Sequence, residues 1–287
     1  MKKNIFLTFC LIFLSSYLLA NDEVKLYFHK DTISNAHTAL LFLEAQNIKN
    51  PKLSLEELHI DFLPDIKKEN RYFALIPISY YAKPKKYKVI VSYETKEKKE
   101  FKGITLNVTD GNYKSEVLSV QPSKIHLNDV DKKRSEKEYK EAMLVYNEYS
   151  KNLETSFIKP LETPITSNFG NKRIYNDSLQ SFHSGTDFRA PIGTPLYASA
   201  KGTVKIAKNR FYAGNSVIID HGYGVFSCYF HLDKISVKEG QTVSQKEFLG
   251  YSGNTGRVTG PHLHFTIRVK NTLVDPLQFI EVMNILN

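Results

Sequence analysis

The chain has 287 residues, 41% of them hydrophobic, and a formal net charge of +9. That length suits about two domains with buried cores and excludes a globally disordered polymer. Only two cysteines occur, so an internal disulfide would have to join Cys10 to Cys228, and the first of these falls in a segment expected to be removed.

Residues 1–20 read as a secretory signal peptide. Met1-Lys2-Lys3 opens with positive charge, Ile5 to Leu19 is mostly apolar, and Ala20 offers a small residue for cleavage. The apolar run falls short of the roughly 20 residues of a spanning helix. The mature protein is therefore expected to be exported, with no stable membrane insertion, and Cys228 to be a lone, buried, small apolar residue. An exported chain without a nucleic-acid motif makes nucleic acid an unsuitable partner. The lysine runs at residues 83–86 and 96–99 read as a solvated face, with attraction to an anionic polymer as the alternative.

Residues 21–120 are predicted to form a small β-sandwich-like domain. Strands are expected at Val24–Phe28, Tyr72–Ile78, Tyr87–Tyr93 and Phe101–Val108. In the third, Tyr87, Val89, Val91 and Tyr93 share one apolar face, the two-residue period of a half-buried strand. Pro77 marks an edge or a strand end. Residues 121–157 are predicted to be a helical linker. Tyr139, Met143, Tyr146 and Leu153 fall on one helix face over residues 129 to about 156, with Asp129 or Asp131 as the cap. Residues 158–287 change texture again: glycines alternate with short β-type runs at 202–204, 216–219, 225–231 and 263–269, predicting an antiparallel β domain that ends near Phe279.

Five of the nine histidines lie between His183 and His264. His183-Ser184-Gly185-Thr186-Asp187 puts an imidazole and a carboxylate four residues apart, with a glycine that permits a sharp bend between them. In Gly260-Pro261-His262-Leu263-His264-Phe265, side chains two apart on a strand share a face, so His262 and His264 point together. A metal resolves the cost of packing two imidazoles side by side. On a strand starting at Val225, alternation puts His231 on the face of Tyr229 and Ser227, opposite Phe226, Cys228 and Phe230. Two imidazoles and one carboxylate leave a fourth zinc position open, which is the arrangement of a catalytic site; structural zinc more often uses cysteines.

The chain resembles the M23 (LytM, lysostaphin-type) zinc metallopeptidases over residues 160–280. The landmarks are Ser167-Asn168-Phe169-Gly170 with Arg173; His183 to Asp187; Gly193-Thr194-Pro195; Gly202-Thr203-Val204; His221-Gly222; Tyr229 with His231-Leu232; Gly250 to Gly256; Thr259 to Phe265; and Asp275-Pro276-Leu277. The resemblance implies a mainly β fold with a LytM-like antiparallel peptidase domain. It implies Zn2+ as cofactor, His183, Asp187 and His264 as metal ligands, and His231 and His262 as catalytic histidines. Arg173 matches an Arg near the family's cleft, with a substrate carboxylate or a salt bridge as its partner; His221 matches a turn histidine. The expected substrate is the peptide stems and cross-links of peptidoglycan, cut by an endopeptidase acting in the periplasm on the D-alanyl–diaminopimelate bond, with a role in wall remodelling and cell shape. Carboxypeptidase trimming is the variant of that reading. The alternatives are an inactive LytM-like module that binds peptidoglycan or activates an amidase and a zinc-stabilised adhesion or scaffold protein; all five positions are filled, which favours the enzyme. Protein partners are not legible.

Overall fold

A computed structural model describes residues 24–118, 127–150, 152–175 and 179–287. The predicted signal peptide at 1–20 lies outside the described residues, as does part of the linker. Among the described residues, no helix is long and apolar enough to cross a membrane.

The first part contains β1 (Lys25–Phe28), β2 (Thr32–Ser34), β3 (Thr38–Glu44), β4 (Lys49–Leu55), β5 (Leu58–Asp61), β6 (Leu63–Pro64), β7 (Arg71–Pro77), β8 (Lys85–Glu94) and β9 (Lys99–Thr109). They form a sheet in the order β1-β3-β7-β6 and a second in the order β2-β9-β8-β4-β5. Tyr87, Val89, Val91 and Tyr93 of β8 are buried, as their spacing predicts. Pro77 ends β7, where its missing N–H leaves no gap in the ladder. Phe101, at the start of an alternating run, is 62% exposed; burial on β9 begins at Leu106 and Val108.

Next come β10 (Ser115–Leu118) and helix α1 (Asp129–Tyr146). The helix is shorter than its apolar periodicity predicts: it stops at Tyr146, with Asn147 as its C-cap. Its N-cap is Asn128, whose side-chain oxygen accepts from the Asp131 N–H at 2.9 Å, so neither Asp129 nor Asp131 is the cap. Tyr139, expected on the packing face, is 63% exposed; Ala142 and Tyr146 are the buried residues.

The second part holds β11 (Ile165–Ser167), β12 (Lys172–Tyr175), β13 (Leu179–Phe182), β14 (Thr186–Arg189), β15 (Pro195–Tyr197), β16 (Gly202–Arg210), β17 (Gly214–Asp220), β18 (Val225–Ile235), β19 (Thr242–Val243), β20 (Phe248–Ser252), β21 (His262–Val269), β22 (Thr272–Val274) and helix α2 (Pro276–Leu286). The main sheet runs β11-β14-β21-β18-β17-β16-β19, with β15, β20 and β22 attached. Its two faces have different fates. Leu263, Phe265 and Tyr229 enter a large apolar cluster that continues into both N-terminal sheets. Ile206, Ile218, Phe226 and Cys228 face the other way and are covered by Ala142 and Tyr146 of α1. Helix α1 thus roofs one end of a sheet face whose other end stays open. Cys228 is fully buried, its thiol pushed up by that burial, with its Sγ 3.4 Å from the Tyr146 hydroxyl.

The β domain ends where α2 begins, slightly before the expected Phe279: Asp275 caps the helix, accepting from Leu277 N–H at 2.9 Å, with Pro276 as the first helical residue. Its Gln278 bonds both backbone groups of Thr38 on β3, at 2.8 and 3.0 Å, which ties the C-terminal helix to the first sheet. Strand β10 lies in the stretch expected to belong to the first domain. It pairs in parallel with β12, giving a three-stranded sheet β10-β12-β13.

Candidate metal and catalytic site

β14 and β21 pair antiparallel with Asp187 opposite His264, so the carboxylate and the imidazole share the open face. His183 precedes β14 by three residues and closes on the same point. Its Nε2 lies 2.9 Å from Asp187 Oδ1 and 3.0 Å from His264 Nδ1, and His264 Nδ1 lies 2.8 Å from the same carboxylate oxygen. All three residues are buried, and their ligand atoms lie within 4.8 Å of one another.

The tautomers follow from what the opposite ring nitrogens touch. His183 Nδ1 is 2.8 Å from the carbonyl of Asn168 and must carry the proton, which leaves Nε2 as a lone pair. His264 Nε2 is 3.1 Å from Thr266 Oγ1, whose own proton goes to the Ser184 carbonyl, so Nε2 donates and Nδ1 is free. Two facing lone pairs and a carboxylate at these distances repel unless a cation joins them. Two nitrogens and one oxygen form a donor set that fits zinc. Only a positive partner on that side, a proton on a facing ring nitrogen or a cation in its place, offsets the burial that pushes the Asp187 carboxyl upward and holds it well below the usual carboxylate range. Burial lowers His264 to about 4, against the opposing pull of Asp187.

The two expected catalytic histidines stand beside this triad. His262 Nδ1 is 2.8 Å from the Gly260 carbonyl, which places the proton on Nδ1 and the lone pair on Nε2, 3.6 Å from Asp187 Oδ1. His231 Nδ1 is 2.9 Å from the Thr255 carbonyl, and its ring centroid lies 5.0 Å from that of His262. Burial, then the neighbouring His264 and His262, lowers His231 to about 3. Its placement differs from simple alternation. Tyr229 pairs with Phe265 on the core face and Phe230 with His264 on the site face, so an unbroken strand would turn His231 into the core with Tyr229. Instead, the register against β17 shifts between Val217↔Tyr229 and Asn215↔Leu232, and His231 adopts φ +67. This bulge inserts one extra residue and re-aims the imidazole at the site.

Gly185 sits at a bend, as predicted, and also lets the segment approach β21 closely. It has no positive φ; a Cβ there would lie 2.5 Å from the Phe265 carbonyl and 2.7 Å from His264 Nε2. Close approach to β21 thus adds to the bend a second demand for glycine. His221, at the turn between β17 and β18, is buried. Its Nδ1 lies 2.7 Å from the Lys201 carbonyl and its Nε2 2.7 Å from Ser227 Oγ, away from the triad.

Arg173 is half-buried on β12. Its Nη2 donates to Asp187 Oδ2 at 3.4 Å, and its Nε lies 3.7 Å from Glu116 Oε2. A cleft of about 710 Å³ opens over the triad, with Glu116, Ser167 and Arg173 on one wall and Tyr212, Arg257 and Thr259 on the other. Glu116 is the residue that sequence reasoning missed; its partners Ser167 and Asn171 lie 51 and 55 positions away, and no local pattern announces such a contact.

Residues 181–276 match the family model of Peptidase family M23. Over 115 residues the chain is 48% identical to Peptidoglycan DD-endopeptidase ShyA of Vibrio cholerae, covering 40% of this chain and 27% of that protein. Over 121 residues it is 40% identical to DD-carboxypeptidase/endopeptidase Mpg of Neisseria meningitidis, covering 42% of this chain and 28% of that protein. The chain thus spans little more than a quarter of the length of these relatives. A solved Pseudomonas aeruginosa structure assigned to peptidase M23 superposes with a TM-score of 0.65 at 28% identity, covering 86% of this chain and 94% of that one. A buried His-Asp-His set with two further histidines beside it, inside the stretch that the family model matches, makes residues 181–276 a peptidase family M23 domain.

Proposed function

We propose that this protein is a zinc-dependent endopeptidase of peptidoglycan, exported to the periplasm, that opens D-alanyl–diaminopimelate cross-links during wall remodelling and shaping of the cell. The observation that carries the reading is the convergence of His183, Asp187 and His264 on one point at the floor of the cleft. The names of the relatives point to the same substrate class, and the leader-like residues 1–20 point to export.

His183, Asp187 and His264 would hold the ion, which when bound supplies Lewis acidity to the scissile carbonyl and to a hydrolytic water. His262, fixed through Nδ1 on Gly260, offers Nε2 as the base that takes the proton of the attacking water. His231, fixed through Nδ1 on Thr255, shares that task. Whichever imidazole becomes protonated then donates a hydrogen bond to the developing oxyanion and later passes its proton to the leaving amine. The sequence has no His-Glu-x-x-His motif, so these histidines take the proton-transfer role. Arg173 is engaged by Asp187 and Glu116, so it acts by holding Asp187 rather than by waiting for a substrate carboxylate.

The test is digestion of purified sacculi by the mature protein, followed by analysis of the released muropeptides. Cross-linked dimers are expected to fall to monomers, and both a chelator and His264→Ala are expected to stop this. Unchanged muropeptides with zinc-loaded protein would overturn the endopeptidase reading. Loss of only a terminal D-alanine would replace it with carboxypeptidase action.

A further inference from the structure

We infer that Glu116, carried on the strand that leaves the N-terminal domain, is a positioning residue for the metal centre, so that the first domain completes the site of the second. The inference rests on the zinc-peptidase reading above.

One carboxylate touches the supports of two of the three metal-ligating residues. Glu116 accepts from Ser167 Oγ at 3.1 and 3.2 Å, and Ser167 Oγ lies 3.0 Å from His183 Nδ1. It accepts from Asn171 Nδ2 at 2.5 Å, next to the turn whose Asn168 carbonyl anchors the same imidazole. On its other side it pairs with Arg173, whose Nη2 holds Asp187 Oδ2. Asp187 Oδ1 is thereby left to face His183 and His264. The Nε of Arg173 is buried and has no hydrogen-bond acceptor, and Glu116 Oε2, at 3.7 Å, is its nearby counter-charge. Without that counter-charge, Arg173 is free to close on both oxygens of Asp187 and compete with the cation for the carboxylate. Glu116 therefore divides the pull of Arg173 and sets how much of Asp187 the ion receives.

The carboxylate is held in place by the first domain. Gly111 N–H donates to Asn35 Oδ1 at 2.9 Å, and Tyr113 Oη donates to the Asn35 carbonyl at 2.7 Å. The Tyr113 ring lies against Gly170, at φ +84, where a Cβ would overlap it. Lys172 N–H donates to the Lys114 carbonyl at 2.7 Å, and the parallel register sets Glu116 beside Arg173. Tyr80 of the first domain stacks on Phe182 with ring centroids 4.0 Å apart, one residue before His183. The route from Asn35 to the metal centre is continuous through packed and hydrogen-bonded groups.

Groups that orient metal ligands from behind typically change metal affinity or activity by about 10–100-fold when removed. The experiment uses the full mature chain and measures zinc affinity by competition with a chromophoric chelator, together with kcat and KM on cross-linked muropeptides. E116Q keeps the shape and removes the charge. It is expected to weaken zinc binding by about 10-fold or more and to lower kcat with little change in KM, because Glu116 supports the ligand residues rather than the substrate. E116D, which keeps the charge, is expected to recover part of both losses. Melting of the metal-free protein is expected to be unchanged in E116Q, which separates positioning from folding. Wild-type zinc affinity and kcat in E116Q would overturn the inference, as would a rise in KM with zinc affinity intact. Failure of the wild-type protein to bind zinc would instead overturn the functional reading on which the inference rests.

Discussion

Gly185→Ala tests whether close approach of the His183–Asp187 segment to β21 builds the site. The added Cβ would lie 2.5 Å from the Phe265 carbonyl, 2.6 Å from Thr266 Oγ1 and 2.7 Å from His264 Nε2. Two of these three neighbours, the Phe265 carbonyl and the His264 ring, are fixed in place. The Phe265 carbonyl belongs to a central strand, and His264 is buried and held by Thr266. The segment must therefore retreat by several tenths of an ångström, carrying His183 and Asp187 away from His264. Overpacking of this kind costs about 1–3 kcal/mol, which lowers the melting temperature by about 2–12 °C for a protein of this size. Because the retreat separates ligand residues, zinc affinity is expected to fall by about 10–100-fold. Melting of the metal-free protein measures the first effect, and chelator competition the second. Gly103→Ala, where the added Cβ has its nearest neighbours at 3.6 Å, is the control, expected within about 0.5 kcal/mol of wild type. A G185A protein with wild-type melting and zinc affinity would refute the argument that contact with β21 demands glycine there.

His231→Ala is expected to lower kcat by about 10²–10⁴-fold while leaving zinc affinity within a few-fold of wild type, since its anchor is the Thr255 carbonyl rather than the triad; loss of zinc with kcat retained would reverse the assignment. Folding stability is expected to fall in acid through His221, which burial lowers to about 4. Above about pH 6.5 the group is neutral in both states and contributes nothing; between 6.5 and 4 only the unfolded chain binds the proton, so stability drops by up to about 3 kcal/mol and then levels off. Urea midpoints from pH 7 to 4 are expected to slope less steeply in His221→Asn than in wild type, and equal slopes would show that this histidine does not carry the effect.

Much of the site was legible in short patterns because strand geometry is periodic. His262 and His264 share a face because they are two apart on a strand, and Asp187 joins them because β14 pairs with β21 in that register. The resemblance sorted ligand residues from catalytic histidines, which spacing alone left open. His231 was singled out but assigned to the face of Tyr229, because its orientation depends on a bulge fixed by register against β17, and a single strand carries no trace of its partner's register. The signal for α2 was present in Asp275-Pro276, a cap followed by a proline at the first helical position.

The amino-acid sequence by itself determined the β-rich character, the apolar faces of strands such as β8, and the kinds of donor available to a metal, since these follow from side-chain chemistry and a two-residue repeat. Only the tertiary structure decided that residues 81 positions apart meet at 3.0 Å, that α1 roofs one end of the sheet face carrying the site, and that Glu116 reaches the supports of His183 and Asp187. Such contacts depend on which strands pair and in what register, and that choice is made by burial summed over the whole core rather than by any residue's neighbours in the chain.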